Sequence, residues 1–171
     1  APRVALVLGT TTVFADYVSG SGTSSLVFEY VIAAGDEDVS GGVTAGVLGL
    51  NSGSIKDAAG NDAVLALSAS SNSIVVDTAA PAVPTIVPVS VNRATPSVGG
   101  TRDADTTVKV YDTSVNPRAL LGTASSANNT AWSFTSTTLA EGDHMVVAVS
   151  IDAAGNISSE TAAVLVRVDL T

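Results

Sequence analysis

One five-residue segment occurs twice in the sequence, as DAAGN at 57–61 and again at 152–156. The two copies start at residues 57 and 152, an offset of 95 residues. A period of this length suits a complete small domain and is too long for one unit of a solenoid. The sequence therefore predicts two tandem domains, 1–80 and 81–171, with an acidic turn at the corresponding place in each.

The predicted boundary lies in a proline-containing stretch, 77–84, where Pro81 and Pro84 favour an extended and semi-rigid backbone. Residues 1 to 57 leave 56 positions before the first repeated turn, whereas 71 positions separate residues 81 and 152. We therefore expect the first domain to lack about two N-terminal strands. Two explanations stay open: the chain was cut inside a repeat, or a neighbouring chain donates a strand along Val4 to Leu8.

Apolar residues alternate with a period of two through most of the chain, and no long window keeps the period of a helix. The strands predicted in the second domain are 85–89, 97–101, 106–111, 119–124, 131–135, 144–152 and 157–168. Seven antiparallel strands are typical of an immunoglobulin-like sandwich. The expected fold class is all-β, with two tandem immunoglobulin-like β-sandwich domains of which the first is N-terminally incomplete.

Composition excludes several classes of partner. With 16 acidic and 7 basic residues the net charge is -9, which makes nucleic acid a poor partner. The longest apolar runs, such as 4–8, are far shorter than the roughly 20 residues of a membrane span, so no membrane insertion is expected. The chain has no cysteine for disulfides or thiolate metal sites. The acidic residues cluster in loops, where they repel one another unless a cation joins them.

Two of these acidic loops, 102–106 and 152–156, are expected at the end of the second sandwich where the linker enters. Ca²⁺ takes about six to eight oxygen ligands from carboxylates, amides, backbone carbonyls and water. The ligands predicted for such an ion are Asp77, Asp103, Asp105, Asp152 and Asn156. The alternative is that these residues are ordinary turn formers, whose side chains satisfy nearby backbone groups.

A second candidate calcium site lies in the first domain, at Asp57, Asn61 and Asp62. For Asp36 and Asp38 we favour a solvated loop, with a further calcium ligand as the alternative. No EF-hand is predicted, because the acidic residues after Arg102 lack the glycine and the bidentate glutamate at the required spacing.

The residue pattern gives no support to an enzyme. His144 is the only histidine, and we place it at the start of a strand on the polar side of the alternation, so a surface position is expected. Zinc would need more histidine or cysteine than the chain contains. Trp132 alternates in phase with Phe134 and is predicted to be a core residue rather than a sugar-stacking platform.

Several segments of the second domain resemble the bacterial Ig-like repeats of large secreted surface adhesins and biofilm-associated proteins; they are WSF at 132–134, LAEGD at 139–143, the turn at 152–156 and VRVD at 166–169. The first domain is similar to a companion repeat of such proteins in the segments 17–23, 34–36 and 50–55. The resemblance implies a β-sandwich fold, export to the bacterial cell surface, calcium at domain junctions and a spacer role. Such repeats carry additional strands before the position of Ala1.

Together these observations lead us to expect structural extender modules of a cell-surface adhesin, stiffened by calcium at the interdomain junction and acting in cell adhesion. The expected partners are neighbouring Ig-like repeats of the same polypeptide or adjacent copies, and the expected location is extracellular. The alternative hypothesis is a subunit of an extracellular filament assembled by strand donation between chains.

Overall fold

The computed structural model describes the chain in five segments: 1–39, 41–68, 70–87, 89–125 and 130–171. The chain divides into two compact units, Ala1–Ala79 and Ala80–Thr171. All regular elements of the described residues are strands, which confirms the all-β class predicted from the period of two. In the described part of the chain, nothing helical is long and apolar enough to span a membrane.

The first unit contains seven strands among its described residues: β1 (Arg3–Leu8), β2 (Thr11–Ser19), β3 (Val27–Glu29), β4 (Glu37–Asp38), β5 (Thr44–Gly49), β6 (Ser70–Ser71) and β7 (Val76–Asp77). Five of them form an antiparallel sheet in the spatial order β3-β2-β1-β5-β6. The short strands β4 and β7 pair separately, also antiparallel.

Strand β1 lies in the middle of the larger sheet of the first unit. Leu6 pairs with Val13 of β2 on one side and with Ala45 of β5 on the other. The backbone of β1 is therefore already paired along both edges, and a foreign strand has no free edge there. The hypothesis that a neighbouring chain pairs along Val4 to Leu8 is wrong in this respect, because the chain's own β2 and β5 fill both positions.

The second unit also contains seven strands among its described residues: β8 (Val89–Val91), β9 (Ser97–Thr101), β10 (Thr107–Asp112), β11 (Ala119–Ser125), β12 (Ala131–Thr135), β13 (Gly142–Ile151) and β14 (Val164–Val168). Five of them form a sheet in the order β11-β10-β13-β14-β8, and β9 pairs with β12 in a second sheet. Strand β8 runs parallel to β14, and the other pairs are antiparallel.

The core of the second unit draws buried side chains from both sheets. Val108 and Val110 of β10 and Val166 of β14 are fully buried, and Val98 of β9 packs with them. Trp132 of β12 belongs to the same cluster at 5% exposure, which confirms its prediction as a core residue. Its indole N–H donates to the carbonyl oxygens of Thr85 (3.1 Å) and Thr101 (3.3 Å), so the ring also ties the start of the unit to β9.

The first predicted strand of the second domain, 85–89, differs from the observed one. Regular pairing with β14 is described for Val89–Val91, and Pro88 lies outside the described residues. Before that point the backbone N–H of Thr85 donates to the carbonyl of Thr101 at 2.8 Å, and that of Val87 donates to β9 at 3.0 Å. The chain thus contacts the smaller sheet first and the larger sheet afterwards.

The last predicted strand, 157–168, is shorter than expected and begins at Val164. In the preceding segment the ladder is only half regular. The N–H of Ser158 donates to the carbonyl of Ser150 (2.9 Å) and that of Thr161 donates to the carbonyl of Ala148 (3.0 Å), but side-chain hydroxyls accept the bonds in return. The hydroxyl of Ser158 accepts the N–H of Ser150 (2.9 Å), and the hydroxyl of Thr161 accepts the N–H of Ala148 (3.1 Å). Hydroxyl groups that bond the backbone in this way compete with strand pairing, which explains why β14 starts late.

Strand β13 is buried on both faces in its second half. Val146 and Ala148 point into the core cluster with no exposed surface, while Val147 and Val149 on the opposite face are also buried. Both phases of the alternation are apolar here, so the period of two does not say which phase faces inward. The prediction that His144 lies on the polar, outward-facing side of β13 was wrong for this reason.

Candidate functional site

The acidic turn of the second unit is closed by its own hydrogen bonds. The backbone N–H of Asn156 donates to Oδ1 of Asp152, and the side-chain amide of Asn156 donates to Oδ2, both at 2.9 Å. Gly155 has a φ of 95°, a conformation that glycine adopts without a steric cost. Burial would raise the pKa of Asp152, but the hydrogen bonds from Asn156 outweigh it and lower the pKa.

The first unit repeats this turn atom for atom. Asp57 accepts the backbone N–H of Asn61 through Oδ1 and its side-chain amide through Oδ2, both at 2.9 Å, and Gly60 has a φ of 91°. The side-chain bond from Asn61 is the largest cause of the lowered pKa of Asp57. The duplicated pentapeptide therefore encodes one turn geometry, in which the aspartate is the hydrogen-bond acceptor.

The remaining candidate ligand in that part of the first unit is engaged in an ion pair. Asp62 lies 2.6 Å from Nζ of Lys56, and the two residues also form an isolated bridge. The Asp62 side chain keeps 80% of its exposure, so the pair contributes little stability.

Asp103 and Asp105 lie in the loop between β9 and β10. The carboxylate of Asp103 accepts the backbone N–H of Ala82 at 2.9 Å, and its carbonyl accepts the hydroxyl of Thr106 at 2.8 Å. Asp105 occupies the left-handed region with a φ of 59°. The loop thus fixes the first residues of the second unit against the β9–β10 connection.

The predicted junction ligands come from both units: Asp77 belongs to the first, and Asp103, Asp105, Asp152 and Asn156 belong to the second. Asp77 pairs with Glu37 through β7 and β4, and its Oδ1 accepts the N–H of Ala79 at 3.1 Å. No three His, Asp or Glu side chains in the described segments are grouped so that they could hold a metal ion. Because Ca²⁺ also takes amide and backbone carbonyl oxygens, the set of five ligands stays a prediction.

The acidic segment near β4 is more ordered than a solvated loop. Asp36 accepts the hydroxyl of Tyr30 and the N–H of Ala33, both at 2.7 Å, and the bond from Ala33 is the main reason for its lowered pKa. Asp38 is 5% exposed and accepts the N–H of Gly41 at 2.9 Å. The interpretation of this segment as solvated was wrong for Asp38, because its carboxylate is turned inward to cap the following turn.

The first unit also has an apolar groove of about 420 Å³ on the face of its larger sheet. Its floor includes Val4, Leu6 and Leu8 of β1, and its walls include Ile32 and Ile74. Both isoleucines are more than half exposed, at 52% and 56%. The groove is therefore open to solvent. It is lined by apolar side chains, and removing them from water would be favourable.

Sequence reasoning missed a largely buried contact between a histidine and an aspartate in the second unit. Nδ1 of His144 lies 2.7 Å from Oδ2 of Asp112, and the two side chains keep only 13% and 4% of their exposure. The sequence did contain a signal for it. Asp112 continues the alternation of Val108 and Val110 and therefore lies on the same, inward face of β10. A carboxylate in an inward phase needs a partner, and the single histidine of the chain supplies it.

Residues 89–170 match a family model whose description is bacterial Ig-like domain. Among solved structures, the chain is similar to one titled "Biofilm associated protein - BSP domain", at 17% sequence identity and a TM-score of 0.43. This similarity covers 99% of the chain and 25% of that structure, so the chain spans a quarter of its length. A similarity at this level carries no argument about function. None of the curated proteins matches the chain.

Proposed function

We propose that the chain supplies structural spacer modules to a bacterial cell-surface adhesin, because residues 89–170 match a family model described as bacterial Ig-like domain. The family match over residues 89–170 is the observation that carries this proposal. The proposal places the chain outside the cell and assigns it no enzymatic activity. Its partners are neighbouring Ig-like repeats of the same polypeptide or adjacent copies.

The positions at which the chain enters and leaves the second unit support a spacer role. Close to the start of this unit, the backbone N–H of Ala82 donates to Asp103, near the end of β13 that contains Ile151. The chain leaves through Val168, which pairs with Gly142 at the opposite end of β13. Ten residues of β13 separate these ends by roughly 30 Å at the usual rise of a strand. A unit that is entered at one end and left at the other lengthens the polypeptide efficiently.

Small-angle scattering on the 171-residue chain and on a tandem duplication of it tests the spacer role. A spacer predicts that duplication adds a constant increment to the largest dimension of the particle. If the duplicated chain instead collapses into a compact particle, whose size grows only with the cube root of its mass, the spacer role is overturned.

The finer part of the proposal is that calcium stiffens the junction through Asp77, Asp103, Asp105, Asp152 and Asn156. What supports it is that Asp103, Asp105, Asp152 and Asn156 lie in loops of the second unit, that Asp77 directly precedes the linker in the sequence, and that Ca²⁺ prefers oxygen ligands. Since the carboxylates of Asp77, Asp103 and Asp152 already accept backbone hydrogen bonds, binding has to rearrange some of these side chains. Any ion that binds only the folded chain raises its melting temperature by mass action.

The repeated turn supplies a matched pair of variants for this test. Asp152→Asn and Asp57→Asn disturb the same hydrogen bonds, one in each unit. We expect millimolar CaCl₂ to raise the melting temperature of the wild type relative to chelator. Asp152→Asn should abolish this increase. Asp57→Asn, which lies in the second candidate set of the first unit, should retain most of it, and an equal loss in both variants would assign calcium to the first unit as well. An equal melting temperature of the wild type with calcium and with chelator contradicts the calcium proposal and leaves the spacer proposal intact.

The open groove favours a second candidate function, a filament subunit in which a strand from another copy covers the apolar face of the first unit. What supports it is the solvent exposure of Ile32 and Ile74 beside the sheet. Because β1 is paired on both edges, such a strand would lie across the groove or pair at β3 or β6, the edges of the sheet. Sedimentation at micromolar concentration separates the two functions. A spacer sediments as a monomer, and a filament subunit forms concentration-dependent oligomers.

A further inference from the structure

Each ring nitrogen of His144 faces an oxygen that can only accept a hydrogen bond. Nδ1 lies 2.7 Å from the carboxylate of Asp112, and Nε2 lies 3.0 Å from the carbonyl oxygen of Ala140. Neither an ionised carboxylate nor a carbonyl group has a proton to donate. Both contacts are therefore hydrogen bonds only when the ring carries a proton on each nitrogen and is an imidazolium cation.

The surroundings connect this ring to three parts of the second unit. Asp112 ends β10, and its Oδ1 accepts the N–H of Ser114 at 2.8 Å. The hydroxyl of Ser114 accepts the N–H of Met145 at 2.6 Å, which joins the segment after β10 to the start of β13. Ala140 lies in the segment that leads into β13. The ring thus links the end of β10, the beginning of β13 and residues 139–141.

We propose that doubly protonated His144 is a pH-dependent latch that holds residues 139–141, the segment that leads into β13, against the end of β10. The charged groups around the ring are Asp112 on β10 and Asp143 on β13. Arg167 on β14 is held by Asp143 through two hydrogen bonds of 2.6 and 2.8 Å. Loss of one ring proton leaves a nitrogen lone pair facing either the Asp112 carboxylate or the Ala140 carbonyl, and this repulsion opens the latch.

The direction of the pH effect follows from the surroundings of the ring. Burial by itself would lower the pKa of His144. The hydrogen bonds to Ala140 and Asp112 and the charges of Asp112 and Asp143 outweigh burial, so the pKa is raised above its usual 6.5. A pKa that is higher in the folded than in the unfolded state gives stability that is complete below the unfolded value. This stability is lost as the pH rises through the folded value, so the latch opens on the alkaline side.

Nuclear magnetic resonance of the whole chain tests the latch directly, since a chain with one histidine gives one assignable set of ring signals. We expect the ring to titrate at a higher pH in the folded chain than in the same chain in urea. The backbone amides of Ala140 and Ser114 should shift with the same midpoint. The proposal is overturned if the folded midpoint equals or lies below the unfolded one, or if these amides do not follow the ring.

Two variants separate a latch from an ordinary buried contact. Asp112→Asn removes the negative charge and should move the ring midpoint to lower pH. We expect the melting temperature of the wild type to fall by several degrees between pH 6 and pH 9. His144→Gln has no ring to titrate and should not show this fall. If Asp112→Asn does not fold, His144→Gln decides alone. The latch is overturned if the melting temperatures of His144→Gln and of the wild type fall in parallel across this range, because the fall would then come from groups that both chains share.

Discussion

The hydroxyl group of Ser150 is buried without a hydrogen-bond partner among the described residues, although the residue has no exposed surface. An unbonded buried hydroxyl group costs free energy that its removal recovers. We expect Ser150→Ala to leave the free energy of unfolding unchanged or to raise it by about 1 kcal/mol. Urea denaturation followed by circular dichroism measures this change.

Ser158 provides the matched control, because its hydroxyl has partners on both sides. It accepts the N–H of Ser150 at 2.9 Å and donates to the carbonyl of Ser159 at 2.8 Å. Ser158→Ala leaves the N–H of Ser150 unbonded in a buried position and should lower the free energy of unfolding by about 1 to 3 kcal/mol. Equal destabilisation by the two alanine variants would show that the Ser150 hydroxyl has a partner after all.

At the scale of one element, the indole of Trp132 holds the start of the second unit to β9 and β12. Trp132→Phe keeps an aromatic ring in the core and removes the donor to the carbonyls of Thr85 and Thr101. We expect this variant to lose about 1 to 3 kcal/mol, because an acceptor is left unbonded and the smaller ring leaves a gap. The variant has no tryptophan left, so thermal unfolding followed by circular dichroism is the measurement.

The duplicated turns make the chain sensitive to acid. The pKa values of Asp57 and Asp152 lie below the usual 3.8, since each carboxylate accepts hydrogen bonds from the following asparagine. A lowered folded pKa gives stability that is present above the unfolded value and is lost as the pH falls through the folded one. We expect the melting temperature to fall below about pH 4, and to fall less in the Asp57→Asn, Asp152→Asn double variant. An unchanged acid response in that variant would assign the effect to other carboxylates.

The elements also show what the sequence can predict. Strand β12 was predicted at its observed bounds, because Trp132 and Phe134 alternate with polar residues and only one phase can face the core. Strand β14 was predicted too long, because the hydroxyls of Ser158 and Thr161 bond β13 in a way that no periodicity reveals. The repeated turn was visible as a motif. Its hydrogen bonds to Asp152 were among the alternatives but could not be separated from calcium ligation by spacing alone.

The buried pair of His144 and Asp112 was not predicted, and the reason is again physical. Both phases of β13 are apolar, so the inward phase of the strand is undetermined until its neighbours in the sheet are known. Once β13 is placed between β10 and β14, His144 falls on the same face as Val146 and meets Asp112. Such a contact depends on strand order, which local sequence does not contain.

At the scale of the whole molecule, the two units differ in how much apolar surface they bury. Among the described residues, the buried hydrophobics of the first unit are Val4, Leu8, Ala15 and Val76, and every other member of the buried core belongs to the second unit. Since burial of apolar surface is the main favourable term in folding, we expect the first unit to be the less stable one. Calorimetry should then show two transitions, with the first unit melting at the lower temperature.

One core substitution in each unit assigns the transitions. Leu8 is 2% exposed and Val110 is fully buried. Leu8→Ala removes three buried carbons and should cost about 2 to 5 kcal/mol, so it lowers the first transition and leaves the second unchanged. Val110→Ala should lower only the second. A single transition that both variants shift together would mean that the units unfold as one cooperative body. That result would contradict independent folding and would require a large apolar interface between the units, because only such an interface couples two cores of different stability.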